Sequence, residues 1–369
     1  MSADRNQAIE DFLARAGWRD AERIPLTGDA STRRYIRLRR GEDTVLLMDQ
    51  PQGAEAPTAA ADATPAQRRV LGYNAVARLA GADCGRFIAA ANHLRAAGLS
   101  APAVLADDAA LGFVLIEDLG DALFADVLAQ GADELPLHLA AADVLAKLHA
   151  APAPAALPPD KPLFAYDETA LLAEVDLLTE WFFPVALDRK ASETEAAEFR
   201  GRWRESLAPF LVSPPVFVHR DYHAQNLFWM PERRGAARVG LIDFQDAVAG
   251  AKAYDMISLI EDARRDVAPA TAAVTVAHYL KAMRDAGTPV DEDAFALEAA
   301  VFAAQRNTKI AGIFARLCRR DGKPRYLGYL PRVWGYLAND LNHPALASLK
   351  SWYDRLIPAN ARGIPAPGA

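Results

Sequence analysis

Apolar positions recur three and four residues apart near the start of the chain, with Ile9, Phe12 and Leu13 on one side, and predict a helix over residues 2–16 that Gly17 ends. The pattern then changes to short strand-forming runs. Residues 35–38 and 44–48 are separated by Arg39, Arg40 and Gly41, which predicts a β-hairpin. A helix near residues 86–97, ended by Gly98, precedes two further strands at 104–105 and 112–116, the latter reading GFVLI. Between these elements, residues 50–67 are small, punctuated by proline and nearly without large apolar side chains, so a flexible surface loop with no regular structure is expected there.

After Ile116 the short polar crossing EDLGD leads into a stretch that reads almost entirely as helix. Residues 151–162 hold five prolines and form a loop between helices, while apolar runs at 215–218 and 239–242 predict two short strands, each leading straight into polar residues. The expected class is therefore α+β, with a β-rich lobe over residues 1–117 and a larger, mainly helical lobe over 118–369. The length of 369 residues agrees, since one core usually serves about 100–200 residues.

Composition narrows the partners. With 51% hydrophobic and 24% charged residues the chain can fill a large core, and no stretch approaches the roughly 20 apolar residues of a membrane span. The net charge of -7 argues against coating nucleic acid or an anionic membrane, so any anionic ligand needs a local basic cluster. Cys84 and Cys318 are far apart with no metal-binding spacing, and the N-terminal segment carries Asp4, Glu10 and Asp11 instead of a signal peptide's apolar run. A cytoplasmic protein with no obligatory protein partner is expected.

The sharpest chemistry lies in VFVHRDYHAQNLFW, where His219, Arg220, Asp221 and Asn226 follow an apolar strand, and in VGLIDFQD about twenty residues later, where Asp243 ends another. Phosphoryl transfer from ATP with Mg2+ needs such a set, because charge on the moving phosphoryl must be neutralised while the acceptor hydroxyl is oriented and loses its proton. Asp221 suits the base, and Asn226 and Asp243 offer the oxygen ligands magnesium prefers. With VHRDYHAQN, LIDFQDA and YD in this order, the chain resembles the aminoglycoside phosphotransferase and choline kinase branch of the protein-kinase-like superfamily. The resemblance implies a bilobal fold, an N-terminal antiparallel sheet with a helix, and a buttressing role for Asp255, whose other reading is a helix N-cap. His219 is expected to brace the same loop.

The N-terminal half departs from that branch in one respect. A glycine-rich hairpin would cover the ATP phosphates; here TGDASTRRYIRL holds that position, with Gly28, Asp29, Ala30 and Ser31 in the turn and Arg33 and Arg34 beside it. The following strand, TVLLMDQ, has no phosphate-binding lysine, and the helix RFIAAANHLRAAG has no glutamate to pair with one. Joint absence is coherent, because a buried glutamate without its cation is strongly destabilising. Arg33 or Arg34 is the expected replacement cation. The adenine would meet the backbone of the connecting strand at Glu117 and Leu119.

The segments TGDASTRRY, HRDYHAQNL, GLIDFQDAVAG and QRNTKIAGIFARLCRRDGKPRYLGYLPR together are similar to the bacterial anomeric sugar kinases of cell-wall recycling. That similarity implies phosphorylation of the C1 hydroxyl of the amino sugars N-acetylmuramate and N-acetylglucosamine. Candidate acceptor contacts are His223, Gln245 and Asp246 near the motif acids, Glu174 and Trp181 seven residues apart on one helix face, and a basic stripe containing Arg306, Lys309, Arg316 and Arg320. Two of these have structural alternatives: Trp181 as core, the stripe as a solvated face with internal ion pairs. The competing functions are a kinase for another hydroxyl compound, such as an aminoglycoside, choline or homoserine, and a nucleotide-binding pseudokinase that regulates.

Overall fold

The computed structural model describes residues 3–26, 32–51, 53 and 55–364; Gly28, Asp29, Ala30 and Ser31 lie outside them. The first helix forms over Ala3–Arg15. A five-stranded antiparallel sheet follows, built from β1 (Glu22–Pro25), β2 (Arg34–Arg40), β3 (Asp43–Asp49), β4 (Val104–Asp108) and β5 (Phe113–Glu117) in the order β1-β2-β3-β5-β4. The expected hairpin is β2–β3, which turns at Gly41 with φ +63°.

Strand side chains alternate between faces, so register decides what the sheet can do. Leu38 pairs with Val45 and Ile36 with Leu47; with Phe113 and Leu115 they meet Ile9, Phe12 and Leu13 of the first helix. Tyr35, Arg37, Leu46 and Ile116 therefore take the opposite face. Strand β5 is buried at four of its five positions, which accounts for its unbroken apolar run.

Residues 50–67 differ from expectation at their end, where a helix runs over Pro65–Leu71 behind a capping box formed by Thr64 and Gln67. Ahead of it, the Arg78 guanidinium donates to the carbonyls of Ala60 and Ala61, both at 2.9 Å. Small side chains bury little, so the composition hid the hold, which runs through backbone oxygens.

Contacts divide the chain into two compact units, one comprising Met1–Asp133, Pro154–Phe164 and Ala224–Ala247, the other Glu134–Ala153, Ala165–His223 and Val248–Ala369. The units interleave in sequence, whereas the expected lobes meet at one cut after Glu117; that cut remains a proposal about the roles of the two parts. The first unit also holds the helix Cys84–Ala96 and a hairpin of Leu227–Trp229 with Val239–Leu241. In the second, the antiparallel strands Val216–Val218 and Val248–Gly250 sit among helices. Among the described residues no helix is long and apolar enough to cross a membrane.

The centre of the second unit is the 28-residue helix Glu292–Arg319, capped by Asp291 and packed against the helices Glu168–Leu177, Ala253–Ile260 and Leu330–Asp340. Gly312 lets it approach closely: a Cβ there would stand 2.4 Å from the backbone carbon of Leu177. Gly312→Ala should lower stability by about 1–3 kcal/mol despite alanine's better helix propensity, measured by thermal or denaturant unfolding.

Candidate active site

The polar face of the sheet borders a cavity of about 410 Å³ within the first unit, lined by Tyr35, Arg37, Ile116, Leu119, Asn226 and Asp243 among others. Its connecting strand is rigidly braced. The Glu117 carboxylate accepts from Arg233 at 2.8 Å, Arg95 at 3.2 Å and the Ala103 amide at 3.0 Å, while Arg37 pairs with Asp118 at 2.6 Å and Asp121 at 2.7 Å. Glu117 and Leu119, the expected adenine contacts, line this cavity. A second cavity, of about 490 Å³, lies in the other unit beside Tyr166, Lys252 and Phe302 and holds none of the motif residues.

The hairpin brings Asn226 and Asp243 together, for the Ile242 amide donates to the Asn226 carbonyl at 3.1 Å. Asp243 has φ +64°, a left-handed conformation that costs a non-glycine residue about 1–3 kcal/mol and here turns the chain out of its strand. Its Oδ1 accepts from Gln245 Nε2 at 3.0 Å and from Arg33 at 3.3 Å. Gln245 therefore orients Asp243, and Asp246 accepts from the Ala80 amide at 2.6 Å, so both expected acceptor contacts serve the chain itself. Two oxygen-bearing side chains at a cavity edge suit a hard divalent cation that keeps water and phosphate in its remaining positions. Among the described residues no cluster of three His, Cys, Asp or Glu groups forms a metal cage.

Where the missing lysine would stand, Met48 is fully buried, and neighbouring Asp49 pairs with Arg5. Arg33 is 8% exposed and reaches Asp243, whereas Arg34, next in sequence, is exposed on the other side of the strand. Of the two expected cations, only Arg33 touches a motif acid among the described residues.

In the second unit the strand Val216–Val218 delivers His219, Arg220 and Asp221. The Asp255 carboxylate accepts the His219 amide at 2.6 Å and the Arg220 amide at 2.8 Å, so it buttresses this loop, being itself buried in the first turn of the helix Ala253–Ile260. Burial pushes the Asp255 carboxyl up to about 7, with the two amides pulling the other way. The His219 ring packs edge-on against Tyr222 at 5.5 Å, whose hydroxyl donates to the Ala141 carbonyl. Arg220 has φ +81° and its guanidinium pairs with buried Glu174.

Glu174 accepts from four groups: Arg220, the Tyr166 hydroxyl, Lys309 at 2.9 Å and Gln305 at 3.0 Å. It is a buried hub, with its oxygens committed to protein donors instead of sugar hydroxyls. Half-buried Trp181, seven residues on, lies in a π-helical turn, Leu178–Phe182. Lys309 and Arg306 are also inside the unit: Lys309 completes the hub, and Arg306, 4% exposed, donates to the Glu261 carbonyl at 3.0 Å. The expected basic stripe is thus split, because its far end, Arg320, is exposed and paired with Asp321. Burial works against ionisation of Asp221, yet Lys309, His223, Arg220 and His219 hold its carboxyl below the usual aspartate range. Burial lowers His223 to about 4, leaving it neutral at physiological pH.

Residues 22–290 match the phosphotransferase enzyme family. The chain belongs to that family. It is 46% identical to the N-acetylmuramate/N-acetylglucosamine kinase of Caulobacter vibrioides over 98% of this chain and 99% of that protein. Against the Pseudomonas aeruginosa protein of the same name it is 33% identical, covering 93% and 92%. Choline kinase LicA from Streptococcus pneumoniae superposes with a TM-score of 0.55 at 14% identity, covering 95% of this chain and 100% of LicA. The ADP-bound aminoglycoside phosphotransferase APH(2'')-Ib gives 0.55 at 12% identity, covering 94% and 98%. At such identities the likeness is one of fold, the protein-kinase-like fold the motifs implied.

Within this phosphotransferase, the sequence reading passed over Tyr35, Arg37, Asp118 and Asp121. The alternation of Arg33, just before β2, with Tyr35 and Arg37 in it was a usable signal, but nothing in the sequence paired Arg37 with acids so far along the chain. Glu174 yields a pH test. Burial alone would raise its carboxyl, but Lys309, Arg220 and Tyr166 bring it down to about 2. A depressed folded-state value contributes stability above the unfolded value of about 4.3 that is lost as pH falls toward 2. Denaturant unfolding between these pH values should show that loss in the wild type and a weaker one in Glu174→Gln. At neutral pH the variant should be about 3–5 kcal/mol less stable, because Arg220 and Lys309 keep their charges without their carboxylate.

Proposed function

We propose that this chain transfers the γ-phosphoryl group of ATP to the anomeric C1 hydroxyl of N-acetylmuramate and N-acetylglucosamine, as a cytoplasmic enzyme of peptidoglycan recycling. The observation that carries the chemistry is the pairing of Asn226 with Asp243 at the cavity edge, downstream of an Asp221 held ionised. The acceptor assignment is supported by relatives of that name aligned over nearly the whole chain.

Each residue's part follows from its surroundings. Asp221, charged at neutral pH, accepts a hydrogen bond from the C1 hydroxyl, orients it and takes its proton as the oxygen–phosphorus bond forms and the bond from the γ-phosphorus to the bridging oxygen breaks, releasing ADP. A depressed pKa makes it a weak base, which suffices because phosphoryl transfer passes through a loose transition state and depends mainly on positioning. Asn226 and Asp243 would hold magnesium, which when bound neutralises charge on the phosphates. Arg33 supplies the cation that the strand lysine supplies elsewhere, and the backbone of Glu117 and Leu119 takes the adenine edge. Gly28, Asp29, Ala30 and Ser31, outside the described residues, are the sequence's candidates for covering the phosphates. His219 and Asp255 keep the catalytic loop in register.

Two measurements test this reading. Asp221→Asn should lower kcat by about a hundred- to ten-thousand-fold while the protein stays folded, and phosphorus NMR of wild-type products should give a sugar 1-phosphate from both acceptors. A phosphate at C6 would refute the acceptor assignment. Arg33→Ala should raise the KM for ATP about 10- to 100-fold with little change in the KM for either sugar, and an unchanged ATP KM would remove Arg33 from the phosphate site.

A further inference from the structure

At the end of the helix Ala253–Ile260 the chain reads Glu261, Asp262, Ala263, Arg264, Arg265, Asp266. Asp262 Oδ1 accepts the Arg264 amide at 2.9 Å, a turn that directs the two arginines differently. Arg265 goes to the Glu134 carboxylate, and Asp266 is taken by Arg332 at 2.5 Å. The half-buried Arg264 goes instead to His223, with its NH1 3.5 Å from Nε2. His223 is two residues beyond Asp221, and its amide donates to the Asp221 carbonyl at 3.1 Å.

Arg264 has no carboxylate partner among the described residues. Arg306 donates to the Glu261 backbone carbonyl, and its charge, with those of Asp262, Arg264 and Asp221, acts on His223. Neutral His223 cannot balance the charge of neighbouring Arg264. Beside them Asp262 is 1% exposed, and its Oδ2 has no hydrogen-bond partner among the described residues. Buried polar atoms are nearly always satisfied, so an orphaned acceptor beside Arg264, itself without a carboxylate partner among the described residues, marks a place prepared for a polar ligand. Its net demand is for an oxyanion that also carries hydroxyl or amide donors.

Resting on the function proposed above, we propose that Arg264, backed by Arg306, receives the lactyl carboxylate of N-acetylmuramate, while Asp262 Oδ2 accepts from a group common to both sugars. A guanidinium binds a carboxylate through two parallel N–H bonds, and this one lies on the Asp221 side, where the acceptor must be. N-acetylglucosamine has no carboxylate, so the arginine distinguishes the two acceptors. The same oxyanion chemistry could come from the phosphate of ATP or product, and kinetics separates the sources.

The test is steady-state kinetics of the full chain with each sugar for wild type, Arg264→Ala and Arg264→Lys, with thermal unfolding of each protein. In Arg264→Ala the ratio of kcat/KM for N-acetylmuramate to that for N-acetylglucosamine should fall about 10- to 100-fold, mostly through the KM for N-acetylmuramate, with the ATP KM within about twofold. Arg264→Lys keeps the charge but not the fork, and should give an intermediate ratio; should the alanine variant fail to fold, this one carries the test. An unchanged ratio, an equal loss on both sugars, or a raised ATP KM would each overturn the assignment. A wild type active on N-acetylglucosamine with the predicted product but blind to Arg264 leaves the functional reading standing. A wild type that phosphorylates neither sugar overturns both.

Discussion

Two buried carboxylates hold the loop that carries Asp221. Asp255 binds the amides of His219 and Arg220, and Glu174 binds the Arg220 guanidinium, so one residue is fixed by its backbone and by its side chain. That double hold matters because Arg220 has φ +81°, a conformation that relaxes unless its surroundings over-determine it. Asp221 follows directly in the chain, and Lys309, bound to Glu174, is the largest charge holding its carboxyl ionised. Removing a donor or acceptor from such a buried network leaves a charge or a hydrogen-bonding group unsatisfied, which is why its members act as a unit.

The first unit solves a different problem with the same economy of parts. One face of its sheet closes a core with the first helix, and alternation gives the other face to the cavity without further sequence. The family's lysine and glutamate pair is absent together, and Met48 is buried like any core residue. Arg33, on the cavity side of the strand before it, reaches Asp243 from a different direction.

The sequence was most legible where local rules dominate. The hairpin around Gly41, the strand GFVLI and the motif acids follow from periodicity and from spacing that phosphoryl transfer requires. It was least legible where a contact joins distant segments. Glu174 looked like a sugar ligand because helical spacing with Trp181 was all that could be seen; its partners Arg220 and Lys309 lie far along the chain. Arg306 and Lys309 read as acceptor contacts on one basic stripe because helix periodicity gives angles without saying which angle faces the core. Residues 50–67 read as a loop, and 55–64 carry no helix or strand; what composition does not register is their hold by the Arg78 side chain on backbone oxygens.

The account stands or falls on the anchoring of the catalytic loop by Asp255, and Asp255→Asn isolates it. The amide keeps the size of the side chain but can accept only through one atom, and it turns a donor toward one of the two backbone N–H groups. Measured at saturating ATP and sugar, kcat should fall about 100-fold, the scale of a 1 Å misplacement, while the KM for ATP stays close to wild type. A kcat within about twofold of wild type would contradict the central claim, because the loop would then hold its geometry without the carboxylate.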